Sequence, residues 1–172
     1  MIEESLEESI VLSIFDLSNL LKKNDDDVYL KIGVTRQQGL ILLHLAGNPN
    51  LPIFKREKHA KDLMASELAD SLNVSRANIT NLINVLLEKG LVKQYEDKED
   101  RRKKRLKLTK KGVAFVDTAQ PSRLAVIHFL TEGFDKNEKE TFLRFLEACM
   151  RKLINEDEKV KSFHELLGAP AI

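Results

Sequence analysis

The chain carries one cysteine, Cys149, among 172 residues. That excludes an intramolecular disulfide framework and suits a reducing cytoplasm. Tryptophan is absent, and only 7 glycines are present. These shortages weigh little against a nucleotide-binding enzyme. The lack of any G-x-G-x-x-G or Walker-type stretch weighs more. No hydrophobic run approaches the ~20 residues that span a bilayer, so no membrane partner is expected. The acidic start, MIEESLEES, resembles no secretory signal. His44, His59, His128 and His164 lie far apart, without the H-x-x-x-H or H-E-x-x-H spacing of a zinc site. No Ser/His/Asp set stands at a recognisable elbow. The residues therefore indicate no metal, no cofactor and no catalytic group, and the chain reads as a non-enzyme. Its length allows one domain, or one compact core with extensions, able to bury a real core.

The rest of the chain is mostly helical in pattern. Residues 3–23 read as a first helix with Ile10, Ile14, Leu17 and Leu21 in an apolar stripe, broken by the run Asn24-Asp25-Asp26-Asp27. Thr35 is placed to cap a second helix over residues 37–46. Residues 51–62 combine proline with many charges and read as a loop with some local helix. Thr109 caps a long helix, in which Pro121 removes a backbone donor and predicts a kink. Gly133 ends that helix, and Asp135 with Glu138 resembles a capping box opening another. Phe142, Leu146, Met150 and Leu153, flanked by Phe145 and Cys149, give this helix a broad apolar face. Core packing is the expected role of Cys149. A last short helix is expected over residues 158–167.

Residues 66–112 are the most informative stretch. SELADSL is a short amphipathic helix, NV a turn, and Ser75 a cap for a helix over residues 76–89. Gly90 sits where a left-handed C-cap belongs. Ile79, Leu82, Ile83 and Leu86 repeat at i, i+3, i+4 and i+7 and should point inward. The opposite face carries Ala77, Thr80, Asn81 and Asn84. Asn can pair with adenine, and Thr and Ala methyls can meet the thymine methyl. Two β-type runs follow, LVKQYE and KKRLKL, joined by DKEDRR. A helix held across another helix beside a cationic hairpin is a device for reading duplex DNA.

Charge supports this reading. The whole chain has 28 Lys+Arg against 27 Asp+Glu, a net +1. Residues 76–111 hold 12 Lys/Arg and 5 Asp/Glu, or +7, which leaves 16 minus 22, or −6, for the rest. Segregation of this kind serves phosphate binding, because only the contacting surface has to release counterions. The run Arg101-Arg102-Lys103-Lys104-Arg105 is its sharpest part.

The order of these pieces resembles the winged-helix core of the MarR (multiple antibiotic resistance regulator) family. The pieces are Ser75-Arg76-Ala77-Asn78-Ile79-Thr80, Leu86-Leu87-Glu88-Lys89-Gly90-Leu91-Val92, Asp100-Arg101-Arg102, and Leu106-Lys107-Leu108-Thr109-Lys110-Lys111-Gly112. Asn81 departs from the pattern, since many members have Arg there, and the segment before the first helix of the motif is unusually long. The resemblance implies a mainly α fold with a small β-hairpin wing. Residues 1–34 would form an N-terminal dimerisation helix and connection, residues 35–112 the winged helix-turn-helix, and residues 113–172 the C-terminal dimerisation helices. It further implies a cytoplasmic homodimer, most simply a repressor, on a pseudo-palindromic double-stranded DNA operator. The expected DNA contacts are Ser75, Arg76, Ala77, Thr80, Asn81, Asn84, Asp100, Arg101, Arg102 and Lys103. A small-molecule effector crevice, by family position, would involve Phe15, Tyr29, Arg36, His44 and Phe115. Two other readings stay open: a DNA-binding regulator with no effector, and a winged-helix protein-interaction module that binds no DNA.

Overall fold

The computed structural model describes residues 5–51 and 62–155. The chain divides into two compact units, Met1–Pro121 and Ser122–Ile172.

The first unit opens with α1, Leu6–Lys31, capped by the Ser5 hydroxyl, which accepts from the Glu8 N–H. The helix does not stop at residues 24–27 as the Asn/Asp run predicts. Those residues are weak helix formers, but the deficit is only about 0.7 kcal/mol each. Tertiary packing outweighs it. Tyr29, in the last turn, lies so close to α2 that a Cβ on Gly39 would meet its Cε1 at 2.2 Å. Asp26 also faces Arg36, with 3.9 Å between carboxylate and guanidinium. The helix ends instead at Gly33, in the left-handed region at φ +81°.

Helix α2 spans Arg36–Leu45 and begins with a full capping box between Thr35 and Gln38. Strand β1, Leu63–Met64, leads directly into α3, Ala65–Leu72. Helix α4 covers Arg76–Glu88, and the hairpin is β2, Val92–Glu96, with β3, Lys104–Leu108. The sequence pattern gives no sign of β1. It is only two residues long, and its pairing partner lies some forty residues away in sequence, with Leu63 opposite Leu106 and Met64 opposite Arg105. The resulting antiparallel sheet has the order β1-β3-β2.

The core of this unit gathers Ile41 and Leu42 from α2, Leu63 from β1, Leu68 from α3, Ile79 and Leu86 from α4, and Leu106 from β3. Helix α5, Lys110–Leu130, is locked to the hairpin at its first turn. Thr109 Oγ1 donates to the Gly90 carbonyl at 2.7 Å and accepts from the Gly112 N–H at 3.0 Å. A Cβ on Gly112 would lie 2.0 Å from the Leu91 carbonyl oxygen, so the L-T-x-x-G ending is a steric requirement. Pro121 lies inside α5, and the boundary between the units falls there.

In the second unit α6 spans Lys136–Asn155. Its start is the expected box: Asp135 Oδ1 accepts from the Glu138 N–H at 2.9 Å, and Glu138 Oε2 accepts from the Asp135 N–H at 2.8 Å. The helix expected at residues 158–167 and nearly all of the 51–62 segment lie outside the described residues.

Candidate nucleic-acid interface

The helix-turn-helix is α3, a three-residue turn and α4. Asn73 makes the turn at φ +50°, a left-handed conformation that asparagine tolerates better than other side chains. Ser75 caps α4 by accepting from the Asn78 N–H at 3.2 Å. Ile79, Ile83 and Leu86 are buried, and Leu82 packs against their cluster while staying partly open. The four inward residues thereby anchor α4 along one side. Arg76, Ala77, Thr80, Asn81 and Asn84 are all exposed on the other. The Thr80 hydroxyl donates back to the Arg76 carbonyl at 2.8 Å, which leaves its methyl and its oxygen lone pairs available. Lys89 ends the helix and Gly90 turns left-handed at φ +67°, sending the chain into β2.

The wing is more ordered than its run of charges implies. Asp97 closes the start of the loop, where Oδ1 accepts from the N–H groups of Glu99 at 2.8 Å and Asp100 at 3.1 Å. Its Oδ2 accepts from Arg105 Nε. Asp100 repeats the device one turn later. Its Oδ1 accepts from both the backbone N–H and Nε of Arg102 at 3.1 Å, and Oδ2 takes Nη2 at 3.4 Å. Lys103 approaches the same carboxylate at 4.0 Å. The Arg105 guanidinium and two backbone N–H groups hold the Asp97 carboxyl down to about 2. Arg102, through side chain and backbone, lowers that of Asp100. Both are ionised at neutral pH.

These contacts divide the cationic run. Arg101, Arg102, Lys103 and Lys104 are exposed, and the Arg102 side chain keeps 92% of its accessible surface. Arg105 is only half-open and turned inward: besides Asp97, its Nη1 donates to the Asp62 carbonyl at 2.9 Å. Tyr95, opposite Arg105 in the register, donates its hydroxyl to the Asp62 carboxylate. That bond to an anion raises the Tyr95 pKa to about 12. Lys107 lies over the Tyr95 ring, 4.5 Å from its centroid. Residue composition gives no hint of the separate roles of Asp97 and Arg105. The available signal is strand alternation, which puts Arg105 on the face of Tyr95 and Lys104 on the opposite face.

The five residues expected at an effector crevice have diverse surroundings. Phe15 is exposed on α1, Arg36 faces Asp26, and Tyr29 and Phe115 pack at the margin of the core. His44 is buried between α2 and α3. Its Nδ1 must donate to the Leu40 carbonyl at 2.7 Å, which leaves Nε2 to accept from the Ser71 hydroxyl at 2.9 Å. Burial lowers its pKa, so it is neutral at pH 7. Cys149, expected in a packed core, is exposed in the single chain. Its stripe on α6 has no cover among the described residues of its own unit: Phe142, Phe145 and Leu153 are exposed as well.

Against this geometry, a family model described as the MarR family matches residues 32–103, from the last turns before α2 to the wing. Over those residues the chain is similar to the MarR family. A relative similar over most of its length is the HTH-type transcriptional repressor YetL of Bacillus subtilis, 28% identical over 84% of this chain and 80% of YetL. The transcriptional repressor MprA of Escherichia coli K12 is 30% identical over 66% of this chain and 61% of MprA. Among solved structures, a MarR protein from Peptoclostridium difficile has a TM-score of 0.73 at 24% identity, over 93% of this chain and 97% of that one. MepR of S. aureus, in complex with DNA, has a TM-score of 0.70 at 21% identity, over 87% of this chain and 99% of MepR. These likenesses establish the winged-helix fold. The MarR family and these relatives are transcription regulators, not enzymes.

Proposed function

We propose that this chain is a MarR-type regulator, a homodimeric repressor that binds a pseudo-palindromic operator in double-stranded DNA. The observation that carries the reading is the exposed face of α4, with Thr80, Asn81 and Asn84, on the same unit as a wing bearing Arg101, Arg102, Lys103 and Lys104. Ser75 and Arg76, at the positive end of the α4 dipole, suit backbone phosphates. Ala77, Thr80, Asn81 and Asn84 meet base edges in the major groove, and Arg102 enters a flanking minor groove. The same α4 face could not be spared for a protein partner without wasting a +7 segment in a chain of net +1. The protein acts in the cytoplasm.

One helix-turn-helix reads few base pairs, so a two-fold pair of them is needed to read a pseudo-palindrome. The names of YetL and MprA support repression as the outcome. A small molecule would relieve it by favouring a dimer whose recognition helices are wrongly spaced for successive major grooves. Tyr29, Arg36 and Phe115 are the best-placed residues for such a crevice. His44 is committed to internal hydrogen bonds, and Phe15 lies on an apolar face suited to assembly.

A footprint on the DNA upstream of the chain's own gene tests the reading. The expected result is one protected pseudo-palindrome with half-sites about one helical turn apart. Binding there should weaken by ~10³–10⁵ between about 50 and 200 mM salt, as for roughly 6–10 phosphate contacts. No protection, or a flat salt dependence, would assign the winged helix to protein interaction instead.

A further inference from the structure

The Asp97–Arg105 pair lies apart from the surface that faces DNA in the reading above. Asp97 is buried, and every atom that bonds it belongs to the wing. We propose that Asp97 and Arg105 are positioning residues for DNA binding, which preset the minor-groove arginine through a relay of two aspartates. The proposal rests on the DNA-binding reading and adds to it how the wing is aimed.

The relay runs in four links. Arg105 is fixed to the sheet twice, by its backbone in β3 and by the bond from Nη1 to the Asp62 carbonyl beside β1. Its Nε holds Oδ2 of Asp97. Oδ1 of Asp97 gathers the N–H groups of Glu99 and Asp100, which fixes where the Asp100 backbone lies. The Asp100 carboxylate then holds both the backbone and the guanidinium of Arg102. Lys103 closes the loop by donating to the Asp100 carbonyl at 2.8 Å, while its own carbonyl accepts from the Asp97 N–H at 2.9 Å. An exposed arginine on a free loop would lose rotamer and backbone freedom on docking. Here much of that loss is already met in the unbound protein, which favours binding. Two carboxylates beside a phosphate-facing loop are otherwise unfavourable, and this geometry accounts for both.

The test has two arms on the full chain. In the free protein, ¹⁵N relaxation of the backbone at Glu99, Asp100 and Arg102, and of Arg102 Nε, should report restricted motion. Asp97→Asn should mobilise all four signals while the core stays folded. The second arm is a double-mutant cycle on the footprinted duplex. Asp97→Asn makes the wing more positive, yet it should weaken operator binding by about tenfold, the scale of one side chain's ordering cost. In an Arg102→Ala background the same change should alter affinity by less than about twofold, because nothing remains to be aimed. Arg105→Lys keeps the charge but cannot reach Asp97 and the Asp62 carbonyl together, so it should follow Asp97→Asn. Unchanged relaxation, tighter binding by Asp97→Asn, or equal loss in both backgrounds would overturn the relay. If the parent chain binds no DNA, the functional reading fails, and the relaxation arm still decides whether Asp97 orders Arg102.

Discussion

At the scale of single residues, neighbouring charges of one sign do different work. Arg102 and Lys98 are both exposed cations of the same loop. Only Arg102 is held in a fork by a carboxylate. Under the proposed function, Arg102→Ala should weaken operator binding at least about tenfold, or ~1.4 kcal/mol, while Lys98→Ala costs much less. Arg102→Lys should recover little, because an ammonium is more strongly hydrated and lacks the planar fork. Mobility shifts on duplexes with A·T or G·C flanks measure this. Equal behaviour of all three variants would reduce the wing to a nonspecific cationic patch. Gly39 and Gly112 make the same point without charge. Each reads as one small residue in a helix, yet each is required by a contact that only the folded chain creates.

At the scale of elements, α4 separates stability from reading. Leu86 is fully buried, so Leu86→Ala should destabilise by ~2–5 kcal/mol in urea unfolding. Asn81 is exposed, so Asn81→Ala should leave stability within about 0.5 kcal/mol and cost ~1–3 kcal/mol on the operator. Equal loss on random duplexes would place Asn81 on the backbone instead of a base. The elements of this motif were legible because their signals are local: caps at Ser75 and Thr109, a turn at Asn73, and a left-handed Gly90. The end of α1 and the existence of β1 were not. One depends on Tyr29 meeting Gly39, the other on a distant strand.

At the scale of the whole molecule, α1 exposes Leu6, Phe15 and Leu20, and α6 exposes Phe142, Phe145 and Leu153. Water around so many large apolar side chains is costly, and a second copy of the chain is the partner we propose. Sedimentation at micromolar concentration should give twice the 19.6 kDa of one chain. Phe145→Glu should shift that equilibrium toward the single chain, since a buried carboxylate would need a partner. A 19.6 kDa species across that range would reject the dimer.

Sequence alone determined the helix-turn-helix, the hairpin, the exposed polar face of α4 and the positive charge of residues 76–111. These follow from periodicity, capping chemistry and composition, which act over a few residues. It also marked Arg102 within the Asp100-Arg101-Arg102 motif. Only the tertiary structure decided that Arg105 turns inward to Asp97, that His44 is spent between α2 and α3, and that α1 runs on through four weak helix formers. Each of those outcomes depends on a group from another element or the far side of the hairpin arriving within hydrogen-bonding or van der Waals range: Asp97 for Arg105, Ser71 for His44, and Gly39 and Arg36 for the end of α1. Periodicity and composition report only on neighbouring residues, so they carry no record of contacts that the folded chain creates.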